Sequence, residues 1–111
     1  MRFEHYQKFV DAGVSLEDDT PRERNALGGM GLAGEAGEVC DHLKKFCFHG
    51  VEIDRDKLVK ELGDVLWYFA LVLHTNNITL DEVMKQNVFK LADRYPHLHG
   101  EPEDIIEEKA V

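Results

Sequence analysis

The sequence has few of the groups that brace or address a small protein from outside its core: two cysteines, three prolines and one tryptophan in 111 residues. Cys40 and Cys47 lie seven apart in one predicted helix, about 10 Å along its axis, too far for a mutual disulfide. Their spacing does not suit a tetrahedral zinc site either, so they are read as buried thiols in a reducing compartment. Cations are also scarce, with 13 Lys and Arg against 22 Asp and Glu and a net charge of −9. That balance argues against a nucleic-acid groove or an anionic membrane surface as partner. No apolar run approaches the roughly 20 residues that span a bilayer, and the N-terminus lacks a basic segment followed by an apolar one. The chain therefore reads as soluble and cytoplasmic. Strand-like alternation, repeats and linkers are missing too. The six histidines are scattered, with His97 and His99 read as surface residues.

What remains is helical punctuation. Residues 2 to 12 form a first helix with Phe3, Tyr6, Phe9 and Val10 on one face, ended by Gly13, and a polar loop follows over 16–19. Thr20, Pro21 and Glu23 give an N-cap, a proline in the first turn and a capping-box glutamate. The second helix begins there and runs to about Phe48, stopped by Gly50, with Leu32, Ala36, Val39, Cys40, Leu43, Phe46 and Cys47 as its apolar stripe. Five glycines, at 28, 29, 31, 34 and 37, weaken it by roughly 1 kcal/mol each relative to alanine. Packing must hold this segment, or its first turns are irregular. Asp54 caps a third helix to about Asn76, with Leu58, Leu62, Val65, Leu66, Phe69, Val72 and Leu73 facing inward. Thr79 and Glu82 open a fourth, which Pro96 closes after Tyr95. The expected architecture is an all-α four-helix antiparallel bundle over 1–96. An acidic tail over 97–111 carries at most a helical turn near Ile105 and Ile106.

Within this frame stand two carboxylate pairs, Glu35 with Glu38 and Glu61 with Asp64. Residues three apart on a helix share a face, so each pair can offer oxygens to a common point. The second and third helices are joined by a short loop and should pack antiparallel. Each pair is displaced in the same sense from its helix's apolar stripe and sits at a matched height above the loop. The two pairs thus fall on one flank. Four converging carboxylates repel one another unless a cation joins them, and hard ions such as Mg²⁺, or Mn²⁺, prefer oxygen ligands. Either pair alone would read as a solvated helix face. Gly29, Gly31 and Gly34 match the dinucleotide-binding glycine spacing, but no strand precedes them, so that reading is set aside.

GLAGEAGEV over 31–39, KKFCFHG over 44–50, ELGDVLWY over 61–68 and the closing Asn87, Lys90, Arg94, Tyr95 and Pro96 together resemble the MazG-like all-α nucleoside-triphosphate pyrophosphohydrolases. The likeness runs from about Arg24 to Pro96. It implies Mg²⁺-dependent hydrolysis of a nucleoside triphosphate to monophosphate and pyrophosphate, with Glu35, Glu38, Glu61 and Asp64 as metal ligands. Glu38 is the first choice for orienting or deprotonating water. Lys45, on the flank of Glu38, and Lys57, one turn before Glu61, become candidate phosphate contacts, joined by Lys90 and Arg94. Asn87, on the apolar stripe of the fourth helix, is either a core amide or a pocket residue, and the resemblance favours the pocket. Tyr95 is a further candidate by hydrogen bond or packing. The stretch before Thr20 and the acidic tail border the expected nucleobase pocket, with Tyr6, Gln7 and Asn25 as candidate contacts.

Related all-α enzymes act on dCTP, dUTP or phosphoribosyl-ATP, and the motifs do not choose among them. Two other classes compete. A di-iron bundle would want a histidine three residues after Glu35 or Glu61, and none stands there. A non-catalytic regulatory domain would have little use for four intact carboxylates. Apolar residues left over at Phe46, Phe48 and Trp67 point to burial between subunits, in a homodimer or homotetramer.

Overall fold

Most of the helices begin where the sequence supplies an acceptor for their orphan amides. The structure, a computed structural model, describes residues 1–15, 18–99 and 101–103. Among them are the helices α1 (Phe3–Val14), α2 (Pro21–His49), α3 (Arg55–Asn76) and α4 (Leu80–Arg94), the single turn α5 (Pro96–His99) and no strand. The all-α class is borne out. At α2 the Thr20 hydroxyl accepts the Glu23 amide at 3.1 Å and Glu23 accepts the Thr20 amide at 3.3 Å. Thr79 and Glu82 repeat the arrangement at α4, and Asp54 accepts the Lys57 amide at 3.1 Å to start α3. Gly50 ends α2 with φ +66°, a left-handed conformation that costs glycine little, and the Val51 amide reaches back to the Lys45 carbonyl.

Some boundaries differ from expectation. Gly13 does not end α1. The helix continues through Val14, and Ser15 closes it by returning its amide and hydroxyl to the Asp11 carbonyl, at 3.0 and 2.7 Å. Residues 97–99, expected in the tail, belong to α5. Leu16, Ile105 and Ile106 lie outside the described residues. Helix α2 is continuous through its glycines.

Contacts divide the chain into one unit over Met1–Asn77 and a second beginning at Ile78. In the first, α3 packs along α2, and α1 packs on α3. The core is small: Val10, Val14, Ala70 and Leu71, with Phe3, Tyr6, Trp67 and Tyr68 against it. Phe9, expected inside, is 68% exposed, because the buried face of α1 continues from Val10 to Val14, one turn on. Leu62 and Leu66 likewise stay outside, since α1 covers α3 at Ala70 and Leu71. Trp67, expected to be exposed, is not. It lies half-buried on the core with its ring edge-on to Tyr68, centroids 5.3 Å apart.

Two of the α2 glycines have a packing reason. A Cβ at Gly31 would overlap the Tyr68 ring, and one at Gly28 would lie 2.8 Å from Val72 Cγ2. The helices can approach there only because both side chains are hydrogen. Gly29, Gly34 and Gly37 face open space. The predicted α2 stripe is mostly uncovered as well. Leu32 and Val39 are half-buried, but Ala36, Cys40, Leu43, Phe46 and Cys47 are exposed. The thiols expected to be buried are therefore open, because no element within this unit covers that face of α2.

Side-chain bonds complete the unit. The Gln7 amide donates to Asp11 Oδ1 at 2.8 Å and to the Ala70 carbonyl at 3.1 Å, and His74 Nδ1 meets the same Asp11 oxygen at 2.8 Å. Asn76 donates to Asn25 Oδ1 at 2.7 Å, tying the start of α2 to the end of α3. Gln7 and Asn25, considered as nucleobase contacts, are thus engaged in joining helices.

Candidate active site

The connection at residues 50–54 brings the C-terminal half of α2 against the N-terminal half of α3 in antiparallel order. Where they meet, a cavity of about 160 Å³ is lined by Glu38, Asp41, His42 and Lys45 of α2, Val51, Glu52 and Asp54 of the connection, and Lys57 and Glu61 of α3. Two of the sequence-selected carboxylates and two of the selected lysines therefore share one wall-to-wall space. Glu35 and Asp64 do not line it. Glu35 is half-buried on the turn of α2 before Glu38, and Asp64 is exposed on the turn of α3 after Glu61. The charge of Asp64 is felt by Tyr6 on α1: burial first, and that charge second, raise the tyrosine above its ordinary value.

Part of the charge within the cavity is paired. Lys45 Nζ lies 3.0 Å from Asp41 Oδ2, one helical turn back, and Lys44 reaches the same carboxylate at 3.8 Å. The hydrogen bond from Lys45, then its charge, lowers the Asp41 pKa. In return the Asp41 hydrogen bond and charge raise that of Lys45, with smaller contributions from Glu38 and Glu61. Lys45 thus sits in the field of both carboxylates. Lys57 enters from the first turn of α3.

Glu61 has a partner that the sequence reading passed over. Its Oε1 lies 2.5 Å from His42 Nδ1, and His42 Nε2 accepts the Asp54 backbone amide at 3.2 Å. A signal existed: Glu35, Glu38 and His42 stand at i, i+3 and i+7, one face of a helix. The Glu-x-x-His spacing of a di-iron bundle misses it, because His42 stands four residues after Glu38 and meets a carboxylate of the other helix.

The remaining selected residues lie in the second unit. Asn87 and Lys90 line an open groove along α4 with Ile78, Glu82, Val83 and Gln86. Asn87 is exposed, so it is not a core amide. Arg94 ends α4, and Tyr95 follows as its C-cap, returning its amide to the Leu91 carbonyl at 2.8 Å.

Residues 28–99 match the pattern of the MazG nucleotide pyrophosphohydrolase domain. The chain belongs to the MazG nucleotide pyrophosphohydrolase family. The match starts inside α2 at Gly28, so α1 lies outside it. A relative, the Gene 37 protein of Mycobacterium phage L5, is 42% identical over 69 residues, which cover 59% of this chain and 60% of that protein. The chain thus spans less than two thirds of that relative's length. No solved structure matches at a significant level. No described helix of this MazG-family chain is long and apolar enough to cross a membrane.

The metal expected for the MazG-like site can be tested against these residues. By donor chemistry they fit a hard divalent ion: four carboxylates on one helix pair, two of them on one cavity. As placed, no three His, Cys, Asp or Glu side chains among the described residues converge on one point. Glu38 and Asp64 are exposed, and Glu35 and Glu61 are half-buried.

Proposed function

We propose that this MazG-family chain hydrolyses a nucleoside triphosphate between its α and β phosphates, releasing monophosphate and pyrophosphate in the service of nucleotide-pool housekeeping in the cytoplasm. The observation that carries this reading is the shared cavity, where Glu38 and Glu61 from antiparallel helices stand with Lys45 and Lys57. Anionic and cationic groups together suit a polyphosphate that arrives with a cation. Glu35, Glu38, Glu61 and Asp64 would hold Mg²⁺, or Mn²⁺. When bound, it supplies neutralisation of the triphosphate and polarisation of a phosphoryl oxygen.

The chain's own residues supply the rest. Lys45, held by Asp41 at 3.0 Å, and Lys57 contact phosphate oxygens. Asn87, Lys90, Arg94 and Tyr95 are proposed as further substrate contacts, with Arg94 suited to a bidentate grip. Glu38 orients or deprotonates the attacking water. The described cavity contains no serine, threonine or cysteine, and its Asp41 and His42 are each engaged by a neighbour, which favours direct attack by water without a phosphoenzyme. The nucleobase is left open among canonical and modified bases, including dCTP, dUTP and phosphoribosyl-ATP.

A homodimer or homotetramer belongs to the same proposal. Phe48, Val59 and Leu62 are 79%, 55% and 50% exposed, more apolar surface than a single copy of a small unit covers. Light scattering at micromolar concentration should give a mass at least twice the 12.7 kDa of one chain, and a folded monomer would refute it.

The activity is tested by incubating the protein with a panel of nucleoside triphosphates, including phosphoribosyl-ATP, with Mg²⁺, and separating the products. Monophosphate and pyrophosphate should form in equal amounts. Glu38→Gln should lower turnover at least about a hundredfold, the loss typical of a general base, while leaving the thermal midpoint unchanged. Release of orthophosphate and diphosphate, or no turnover across the panel, would overturn the reading.

A further inference from the structure

We infer that His42 is a positioning residue, which fixes the Glu61 carboxylate on the cavity wall, within reach of a metal, and ties it to the loop that walls the cavity. This rests on the reading of Glu61 as a metal ligand. The argument begins with the hydrogens. Asp54 is the N-cap of α3, and its backbone amide can only donate, so His42 Nε2, 3.2 Å away, must be an acceptor. In the neutral ring the hydrogen then sits on Nδ1. That nitrogen points at Glu61 Oε1, so the ring donates to the carboxylate. Both ring nitrogens are committed, one to the N-cap amide of α3 and one to the Glu61 carboxylate on that helix's second turn. His42 is therefore not itself available as a ligand.

Two consequences follow for Glu61. One oxygen, Oε1, is occupied by a neutral donor, which leaves the other oxygen and the full negative charge for a cation. The carboxylate loses rotamer freedom, because its partner is itself held: the His42 and Glu61 side chains are only 8% and 13% exposed. Glu38 is exposed and is not held in this way. The same ring also holds the amide of Asp54, next to Glu52 and Val51, which form the loop side of the cavity. Partners that hydrogen-bond a metal-ligating group typically change metal affinity by 10- to 100-fold when removed.

Substitutions can separate this role from simple packing. His42→Phe keeps the ring volume and removes both bonds. His42→Asn places an amide N–H near the Nδ1 position and restores the donor to Glu61, while giving up the acceptor for Asp54. The full-length chain is titrated with Mn²⁺ alone, reading free ion by electron paramagnetic resonance, and thermal unfolding of each variant is recorded beside it. Glu61→Gln and His42→Phe should each weaken Mn²⁺ binding by about 10- to 100-fold, and His42→Asn should recover most of that loss. If Glu61→Gln weakens binding but His42→Phe does not, the inference is overturned alone. If His42→Asn binds no better than His42→Phe, and affinity simply follows the thermal midpoint, the residue is structural and the inference falls. Mn²⁺ binding indifferent to Glu61→Gln would remove the ligand reading beneath it.

Discussion

The α2 and α3 pair has two ends that differ in almost every physical respect. At one end Gly28 and Gly31 receive Val72 and Tyr68, and α1 lies over Ala70 and Leu71, which are 0% and 2% exposed. At the other, Glu38, Lys45, Lys57 and Glu61 surround a polar cavity, and Gly34 and Gly37 look into open space. Apolar burial holds the first end, and the second is positioned by hydrogen bonds and charge. The comparison teaches that one glycine-rich run serves two purposes. Where two helices touch, hydrogen is the only side chain that fits. A turn or two later the same residue type fills no gap within the unit.

The sharpest way to break this comparison is to add carbon at each end. Gly31→Val drives its side chain into the Tyr68 ring and should destabilise the fold by about 3 kcal/mol, read as a lower urea midpoint with an unchanged slope. An unchanged midpoint would mean that the helices do not meet closely there. Gly34→Ala should have the opposite sign and stabilise by about 0.5–1 kcal/mol, since the new methyl meets nothing and alanine costs less helix entropy. If it destabilises instead, that face is covered in solution, and the loss should grow with protein concentration as expected for a second copy.

The smallest effect concerns α1, the element outside the family match. Tyr6 has its pKa raised above 10.0, by burial and then by Asp64. The unfolded tyrosine ionises first as pH climbs. The stabilisation is therefore complete below about pH 10 and is lost as pH rises through the higher folded value. Tyr6→Phe should flatten the alkaline limb of stability against pH while leaving neutral-pH stability near wild type. Asp64→Asn should shorten the limb, which still begins near pH 10 but ends at a lower pH with a smaller total loss, because the second cause of the raised folded value is gone. A limb that ignores both variants would show that the phenol is not held between the core and Asp64.

Legibility followed range. Thr20 with Glu23, Gly50, Asp54 and Thr79 with Glu82 were readable as helix ends because each acts within a turn of itself. Glu38, Lys45, Lys57 and Glu61 were readable as one flank because helical spacing and an antiparallel loop set their angles and heights. The inward face of α3 was not, since Leu62 and Leu66 are as apolar as Leu71 and Leu73. Only the position of α1 decides which are covered. His42 was missed for a related reason. Its partners, Glu61 and the Asp54 amide, are 19 and 12 residues away, on an element whose rotation the sequence does not state.

By itself the sequence determined the four main helices, the ends of α2, α3 and α4, and the side of α2 and α3 that carries the carboxylates, because capping, glycine conformation and the helical repeat are local. The tertiary structure decided which apolar residues become core, why Gly28 and Gly31 must be glycine, and that Glu61 is held by His42. Those depend on how far apart two helices lie and how each is rotated toward the other. Distance and rotation are set by the sum of many contacts, and no short stretch of sequence contains that sum.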